Sequence, residues 1–158
     1  GELPPMTLPV VVFLMAGVIA VSTGSSWGTM TILYPIVLTM SYNLCIAAGL
    51  SEAEAMLIYY QVVSATLAGA VFGDHCSPIS DTTILSSLAC ACPHIDHVRT
   101  QLPYALTVAS ASVFVSFVLI NWLGLPWYVG HAAGIVLLLT TVRVFGKVVP
   151  DQSTTADA

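Results

Sequence analysis

The chain has very little charge. Among its 158 residues only three are Lys or Arg and eight are Asp or Glu, so 7% are charged. An ordinary soluble domain has about 25%. A soluble fold of this length covers its surface with polar groups, and this chain does not carry enough of them. Three cations also exclude the basic patch that nucleic-acid binding requires. The chain opens Gly1-Glu2-Leu3-Pro4-Pro5, without an initiator methionine or a basic segment ahead of an apolar run. That start does not read as a signal peptide, and it reads as a cut through a longer protein. Cysteine is sparse: Cys45, Cys76, Cys90 and Cys92 all lie in or beside apolar stretches. They are expected to act as small hydrophobes rather than disulfide partners. Enzyme signatures are missing too. There is no G-x-S-x-G, no phosphate-binding glycine loop, no dinucleotide fingerprint and no H-E-x-x-H. Neither an enzyme nor a resident cofactor is expected.

What the chain has in abundance is hydrophobicity. Apolar residues make up 57%, and the mean hydropathy is +0.92. Disorder, which needs low hydrophobicity, is excluded. The expected class is all-α: a polytopic transmembrane helical bundle in contact with membrane lipid. The apolar runs are Leu8–Val21, Met30–Leu50, Ala55–Phe72, a short one at Thr82–Cys92, then Leu102–Leu123 and Trp127–Phe145. Between the second and third, Ser51 reads as a helix N-cap with Glu54 as its capping-box partner. Residues 93–101 read as an interfacial turn carrying His94, Asp96, His97 and Arg99, and residues 148–158 as a polar, disordered tail.

Two places interrupt the apolar pattern. Leu8–Val21 holds fourteen residues. That is about 21 Å of helix, short of a hydrocarbon core of about 30 Å. It stops at Ser22-Thr23-Gly24-Ser25-Ser26-Trp27-Gly28-Thr29, a hydroxyl-rich stretch without charge. A simple loop between two ordinary helices is the other reading of this stretch. The second interruption is Gly73-Asp74-His75-Cys76-Ser77-Pro78-Ile79-Ser80-Asp81. Gly73 is expected to close the preceding helix. Pro78 forbids helix at Ser77. Ser80 or Asp81 then caps a helix starting near Thr82.

Irregular backbone at membrane depth persists only inside protein or along a wet cavity, and paired interruptions point to a transport site. Ionisable groups there are costly and mark function. The helix ends divide the two acids. Free carbonyls at a helix C-terminus disfavour an anion at Asp74, which makes it the proton carrier. The N-terminal field favours a permanent anion at Asp81, whose other reading is a plain N-cap. His75 is a further candidate, or a structural hydrogen-bond partner. A zinc reading rests on His75, Cys76, Cys90, Cys92, His94 and His97, but Cys90-Ala91-Cys92 is not a C-x₂-C pair. No transition-metal site is expected.

Gly73 through Ser87 resembles the signature of the NhaC-type Na⁺/H⁺ antiporter family. Asp96-His97-Val98-Arg99-Thr100-Gln101-Leu102-Pro103-Tyr104-Ala105 is similar to that family's continuation, and Ser22–Thr29 resembles its other hallmark. The stretch Leu88-Ala89-Cys90-Ala91-Cys92-Pro93 departs from the more glycine-rich pattern expected there. Members of the family are much longer. The resemblance therefore implies that residues 1–147 are a C-terminal transmembrane portion, one half of an inverted-repeat transporter with broken or re-entrant helices. Its first partner would be the missing N-terminal repeat, and a homo-oligomer is left open. Exchange of Na⁺ for H⁺ across a bacterial-type cell membrane is implied, with the ions as cargo and no cofactor. Exchange of organic anions of the malate and lactate kind is the alternative, followed by a non-transporting or zinc-binding membrane protein. The cation site would comprise Asp74, Ser77 and Ser80 from one break, with Thr23, Ser25 and Ser26 from the other, and Asp81 and His75 nearby.

The cations also set an orientation. Arg99 precedes two full spans, and Arg143 and Lys147 follow them, so all three fall on one face. The positive-inside rule makes that face cytoplasmic. The Asn121–Gly130 connection, with Trp122, Trp127 and Tyr128 as an aromatic belt, is then external. In a cysteine-free background, single cysteines at positions 99 and 147 are expected to resist an impermeant thiol reagent added outside, and one at position 125 to react. The opposite pattern inverts the topology.

Overall fold

The computed structural model describes residues 4–146, and all its regular structure is helical. Lys147 and the polar tail assigned to residues 148–158 lie outside the described residues. A single 3-10 turn, Pro5–Thr7, runs into α1 (Leu8–Thr23). Four helices follow: α2 (Ser26–Ala47), α3 (Glu52–Cys76), α4 (Asp81–Ala89) and α5 (His94–Val113). A π-helix, Phe114–Trp122, and α6 (Trp127–Phe145) complete the fold. Five helical stretches are long and apolar enough to cross a membrane: Pro5–Thr23, Ser26–Ala47, Glu52–Cys76, His94–Ile120 and Trp127–Phe145. The protein is a multi-pass helical membrane protein.

The helices end in different places from those the apolar runs suggest. α1 does not stop at Val21. The Ser22 hydroxyl donates to the Val18 carbonyl (2.9 Å) and that of Thr23 to the Ala20 carbonyl (3.4 Å). Such back-bonding lets polar residues stay helical in an apolar setting. With its 3-10 turn, the first span is 19 residues long, so it is not too short to cross. The eight-residue interruption shrinks to a two-residue turn at Gly24 and Ser25. Gly24 takes a left-handed conformation (φ 66°). Ser25 is the N-cap of α2, its hydroxyl accepting from the Gly28 N–H at 3.2 Å.

Gly73 is likewise not a helix stop. It lies inside α3, which continues to Cys76. Ser77, held extended by Pro78, ends the helix (φ −78°, ψ 127°). The second interruption is therefore residues 77–80, and α4 begins at Asp81 with Ser80 as N-cap. The stretch read as an interfacial turn is helical too, because α5 starts at His94. The Pro93 carbonyl accepts from the Asp96 and His97 N–H groups, both at 3.0 Å, and an acid sits in the first turn. The capping box of Ser51 and Glu54 forms as expected. The Ser51 N–H donates to Glu54 Oε2 (2.9 Å) while the Glu54 N–H donates to Ser51 Oγ (3.4 Å).

The chain divides into two compact units, one up to Val113 and one from Phe114. In the first, α1 and α3 run parallel in close contact. A side chain at Gly69 would meet the Phe13 carbonyl and the Ala16 methyl. One turn on, a side chain at Gly73 would meet the Gly17 carbonyl and the Ala20 methyl. One turn further, Ser77 Oγ donates to the Val21 carbonyl at 2.8 Å. Small residues at this spacing let two backbones approach closely, which is how helices pack without a hydrophobic driving force between them. Phe13 and Phe72 stack beside the crossing, with centroids 5.8 Å apart. α2 runs antiparallel to α3. Ser26 meets Asp74 near one end, and the Tyr34 hydroxyl donates to the Val63 carbonyl (3.3 Å) further along. α1 and α2 thus form a hairpin whose tip is Gly24-Ser25. Leu8, Val12, Ala16, Leu33, Val37, Cys45, Ala55, Ile58 and Val62 fill the core between the three helices. In the second unit, Gly130 and Gly134 of α6 face Ile120 and Val115 of the π-helix.

The crossing has no room to give at Gly73, because the nearest group is backbone. Gly73→Ala is expected to destabilise the full-length protein by about 1–3 kcal/mol, the range for overpacking a tight contact. Gly49→Ala sits in open space with a left-handed backbone (φ 77°). It should cost only about 1 kcal/mol. Thermal unfolding in detergent compares the two, and equal losses would argue against a tight crossing.

A candidate ion site where a hairpin tip meets a helix break

The parallel packing of α1 and α3 brings both interruptions to the same level. Gly24 abuts Ile79: a Cβ built on it would lie 2.8 Å from the Ile79 carbonyl oxygen. Only glycine permits this approach and the left-handed turn together. The hydroxyls of the two segments then interlock. Ser77 is fully buried and gives its proton to the Val21 carbonyl, one of the acceptors left unpaired where α1 ends. Its oxygen also accepts from the Ile79 N–H at 3.3 Å. The break is thus pinned to the hairpin tip by one serine acting in both directions.

Asp74 lies at the centre. It sits in the last turn of α3, half-buried. Its Oδ1 accepts from Ser80 Oγ at 2.6 Å and its Oδ2 from Ser26 Oγ at 3.1 Å. Ser26 opens α2 and Ser80 closes the break, so one carboxylate holds segments from both sides. Hydrogen bonds to a carboxylate are stronger than neutral ones, and Ser80 is fully buried. Ser80 Oγ also meets Thr82 Oγ1 at 2.8 Å. Because Ser80 turns toward Asp74, it makes no side-chain cap on α4. On the hairpin side, Thr23 Oγ1 and the fully buried Thr29 Oγ1 are 3.1 Å apart, and Thr29 also donates to the Ser25 carbonyl at 2.9 Å.

Asp74, Ser26 and Ser80 therefore come together in one oxygen-rich cluster, with Ser77 pinning the break and Ser25 and Thr23 shaping the tip beside it. Asp81 and His75 are exposed, and neither side chain makes a hydrogen bond among the described residues. Thr82 joins the cluster through Ser80, and Thr29 braces the tip through Thr23 and Ser25; neither is named as a site residue from the sequence, although both lie in or beside the segments that attracted attention. His94 is the larger surprise. It is half-buried, and its Nε2 lies 2.6 Å from the Pro78 carbonyl, sixteen residues back in the chain. No spacing rule pairs those two positions. Thr83 Oγ1 is buried with no hydrogen-bond partner among the described residues. No group of three His, Cys, Asp or Glu placed to hold a metal ion occurs among the described residues. The cluster is made of hard oxygen donors around one carboxylate, a donor set that suits hard cations rather than soft, thiolate-preferring ones.

Five helices of span length define the class, a multi-pass helical membrane protein, here with a polar cluster where two helical segments end. A family model described as the Na⁺/H⁺ antiporter family matches residues 1–122. The chain belongs to that family. It is 44% identical over 144 residues to an uncharacterized protein of Haemophilus influenzae, covering 90% of this chain and 26% of that one. It is 33% identical over 89 residues to a malate-2H⁺/Na⁺-lactate antiporter of Bacillus subtilis, covering 56% and 17%. It is 29% identical over 119 residues to an uncharacterized Na⁺/H⁺ antiporter of Haemophilus influenzae, covering 72% and 22%. The chain spans about a quarter or less of the length of these relatives. No solved structure matches it.

Among the described residues, the Val21 carbonyl takes its side-chain hydrogen bond from Ser77. Ser77→Ala is expected to destabilise the full-length protein by about 1–3 kcal/mol, the penalty for an unpaired buried acceptor. Thermal unfolding measures this, and an unchanged midpoint would show that the Val21 carbonyl finds another donor.

Proposed function

We propose that the full-length protein exchanges Na⁺ for H⁺ across the cell membrane, with Asp74 as the shared binding group. The supporting observation is the position of its carboxylate, which accepts hydroxyls from the hairpin tip and from the helix break at once. Each serine that donates to Asp74 keeps oxygen lone pairs that can face a cation. Na⁺ takes oxygen ligands, and the ends of α1 and α3 add carbonyls to the hydroxyls. A proton on Asp74 removes the site's negative charge and lowers its affinity for Na⁺. Competition of the two ions for one carboxylate is sufficient for exchange when the site opens alternately to each side. The remainder of the protein would supply a second, inverted repeat that completes the site. Ser77, Ser80, Ser25, Ser26 and Thr23 shape or line it, and Asp81 lies on the exposed side of α4 as a peripheral anion.

A second reading has its own support. The Bacillus subtilis relative is named as an exchanger of malate with protons for lactate with Na⁺. Here Ser80 does not cap α4 with its side chain, so the first N–H groups of that helix are open to an organic carboxylate. Flux of the full-length protein in proteoliposomes, with Na⁺ alone and with malate or lactate added, separates the two readings. Sodium-driven proton movement without organic acid supports plain exchange, and strict dependence on it supports the second reading.

Asp74→Asn is expected to abolish exchange while the protein still reaches the membrane. In the wild type the apparent KM for Na⁺ should fall as pH rises, since fewer protons compete. Ser26→Ala and Ser80→Ala should each raise that KM by about tenfold, the worth of one charge-assisted hydrogen bond. Asp81→Asn should keep the pH dependence. Wild-type flux in Asp74→Asn would remove this carboxylate from the mechanism.

A further inference from the structure

The break between α3 and α4 is held on one side by the hairpin tip, through Ser77 on the Val21 carbonyl and Ile79 against Gly24. Its other side meets His94, the first residue of α5. The Pro78 carbonyl can only accept, so the imidazole nitrogen 2.6 Å away, Nε2, carries a proton. Nδ1 lies 3.3 Å from the hydroxyl of Ser87, a residue of α4 that is 2% exposed. In the neutral ring Nδ1 is an acceptor, and the Ser87 hydroxyl can turn its proton to it. Otherwise that hydroxyl donates to the Ile84 carbonyl at 2.8 Å. The ring therefore ties three segments together: the break at Pro78, the buried face of α4 at Ser87, and the start of α5.

From this arrangement we infer that His94 is a positioning residue for the ion site, acting through the Pro78 carbonyl. Residues 77–80 have no continuous helical bonding of their own; the Ser80 N–H reaches the Ser77 carbonyl only at 3.4 Å. Two residues beyond Pro78 stands Ser80, whose hydroxyl must stay 2.6 Å from Asp74. Fixing the Pro78 peptide fixes where Ser80 can point. Among the described residues His94 makes no hydrogen bond to Asp74 or Ser80, so its effect on the ion is routed through the backbone it holds. The inference rests on the proposed role of Asp74 for its consequence in transport, but not for its consequence in structure.

Two readouts on the full-length protein separate these. The first is the KM for Na⁺ and the maximal rate of exchange. The second is the alkylation rate of Cys76, the last residue of α3, with all other cysteines replaced. His94→Leu keeps the bulk and removes the donor. It should raise the KM by about tenfold with a much smaller change in maximal rate, as expected when one hydrogen bond that orders a site is lost. It should also speed alkylation of Cys76. His94→Gln carries an N–H that can reach the same carbonyl and should restore both readouts. Ser87→Ala, a milder change that frees Nδ1, should move both in the direction of the leucine variant, and it decides the matter if that variant does not fold. Unchanged KM and alkylation in a folded His94→Leu protein, or in Ser87→Ala when it stands in, would overturn the inference. Equal impairment by Gln and Leu would overturn it too. If Asp74→Asn leaves Na⁺ binding intact, the proposed function fails, and Cys76 alkylation alone still tests the hold of His94 on the break.

Discussion

The close parallel crossing of α1 and α3 governs the rest of the structure. Gly69 and Gly73 on one helix, and Ala16, Gly17 and Ala20 on the other, let the two backbones touch where larger residues would hold them apart. In lipid there is no hydrophobic gain from pressing two apolar helices together, so contact of this kind depends on shape. Because the contacts repeat turn by turn, the register is set along the whole interface. Both helices lose their regular backbone just beyond it. The hairpin tip and the break are therefore placed side by side by the small-residue packing of the turns that lead up to them.

That juxtaposition supplies partners for the polar groups that the helix ends expose. Where a helix ends, carbonyls and N–H groups lose their partners, and lipid cannot replace them. Here the two interruptions share partners: Ser77 serves the Val21 carbonyl, and Ser26 and Ser80 converge on Asp74, while Ser25 caps its own helix at the Gly28 N–H. His94 supplies a donor for the Pro78 carbonyl from a third direction. The polar network is nearly closed, and Thr83 Oγ1 is the buried side-chain hydroxyl left without a partner among the described residues. A network of this kind is rigid when complete and sensitive to the loss of any one member.

Several helix limits show how local chemistry misleads when it is read alone. Ser22 and Thr23 look like the end of a span because they are polar, yet their hydroxyls bond back into α1 and the helix continues. Gly73 looks like a helix stop because glycine commonly is one, yet it is needed for close approach to Gly17. A glycine that caps and a glycine that packs are the same letter. The polar stretch from Pro93 looks like a turn, but Pro93 offers its carbonyl to the first N–H groups of α5 and the helix begins there. Pro78, in contrast, acts as its covalent structure demands, and Ser77 is extended.

The sequence by itself determined the membrane class, the later long apolar helices, the capping box at Ser51 and Glu54, and the places of the two polar interruptions. These follow from composition, from run length and from side chains acting within a few residues of their own backbone. But it read the first run as too short to cross, and the structure extends that run to a 19-residue span. The sequence also singled out Asp74, because a carboxylate in so apolar a chain must have a reason to be there. Only the tertiary structure decided which hydroxyls reach that carboxylate, that Asp81 and His75 stand apart from it, and that His94 belongs to the break. Those facts depend on the level at which α1 crosses α3 and on the path of α4 into α5. Such levels are set by contacts between residues far apart in the chain, and no local pattern carries them.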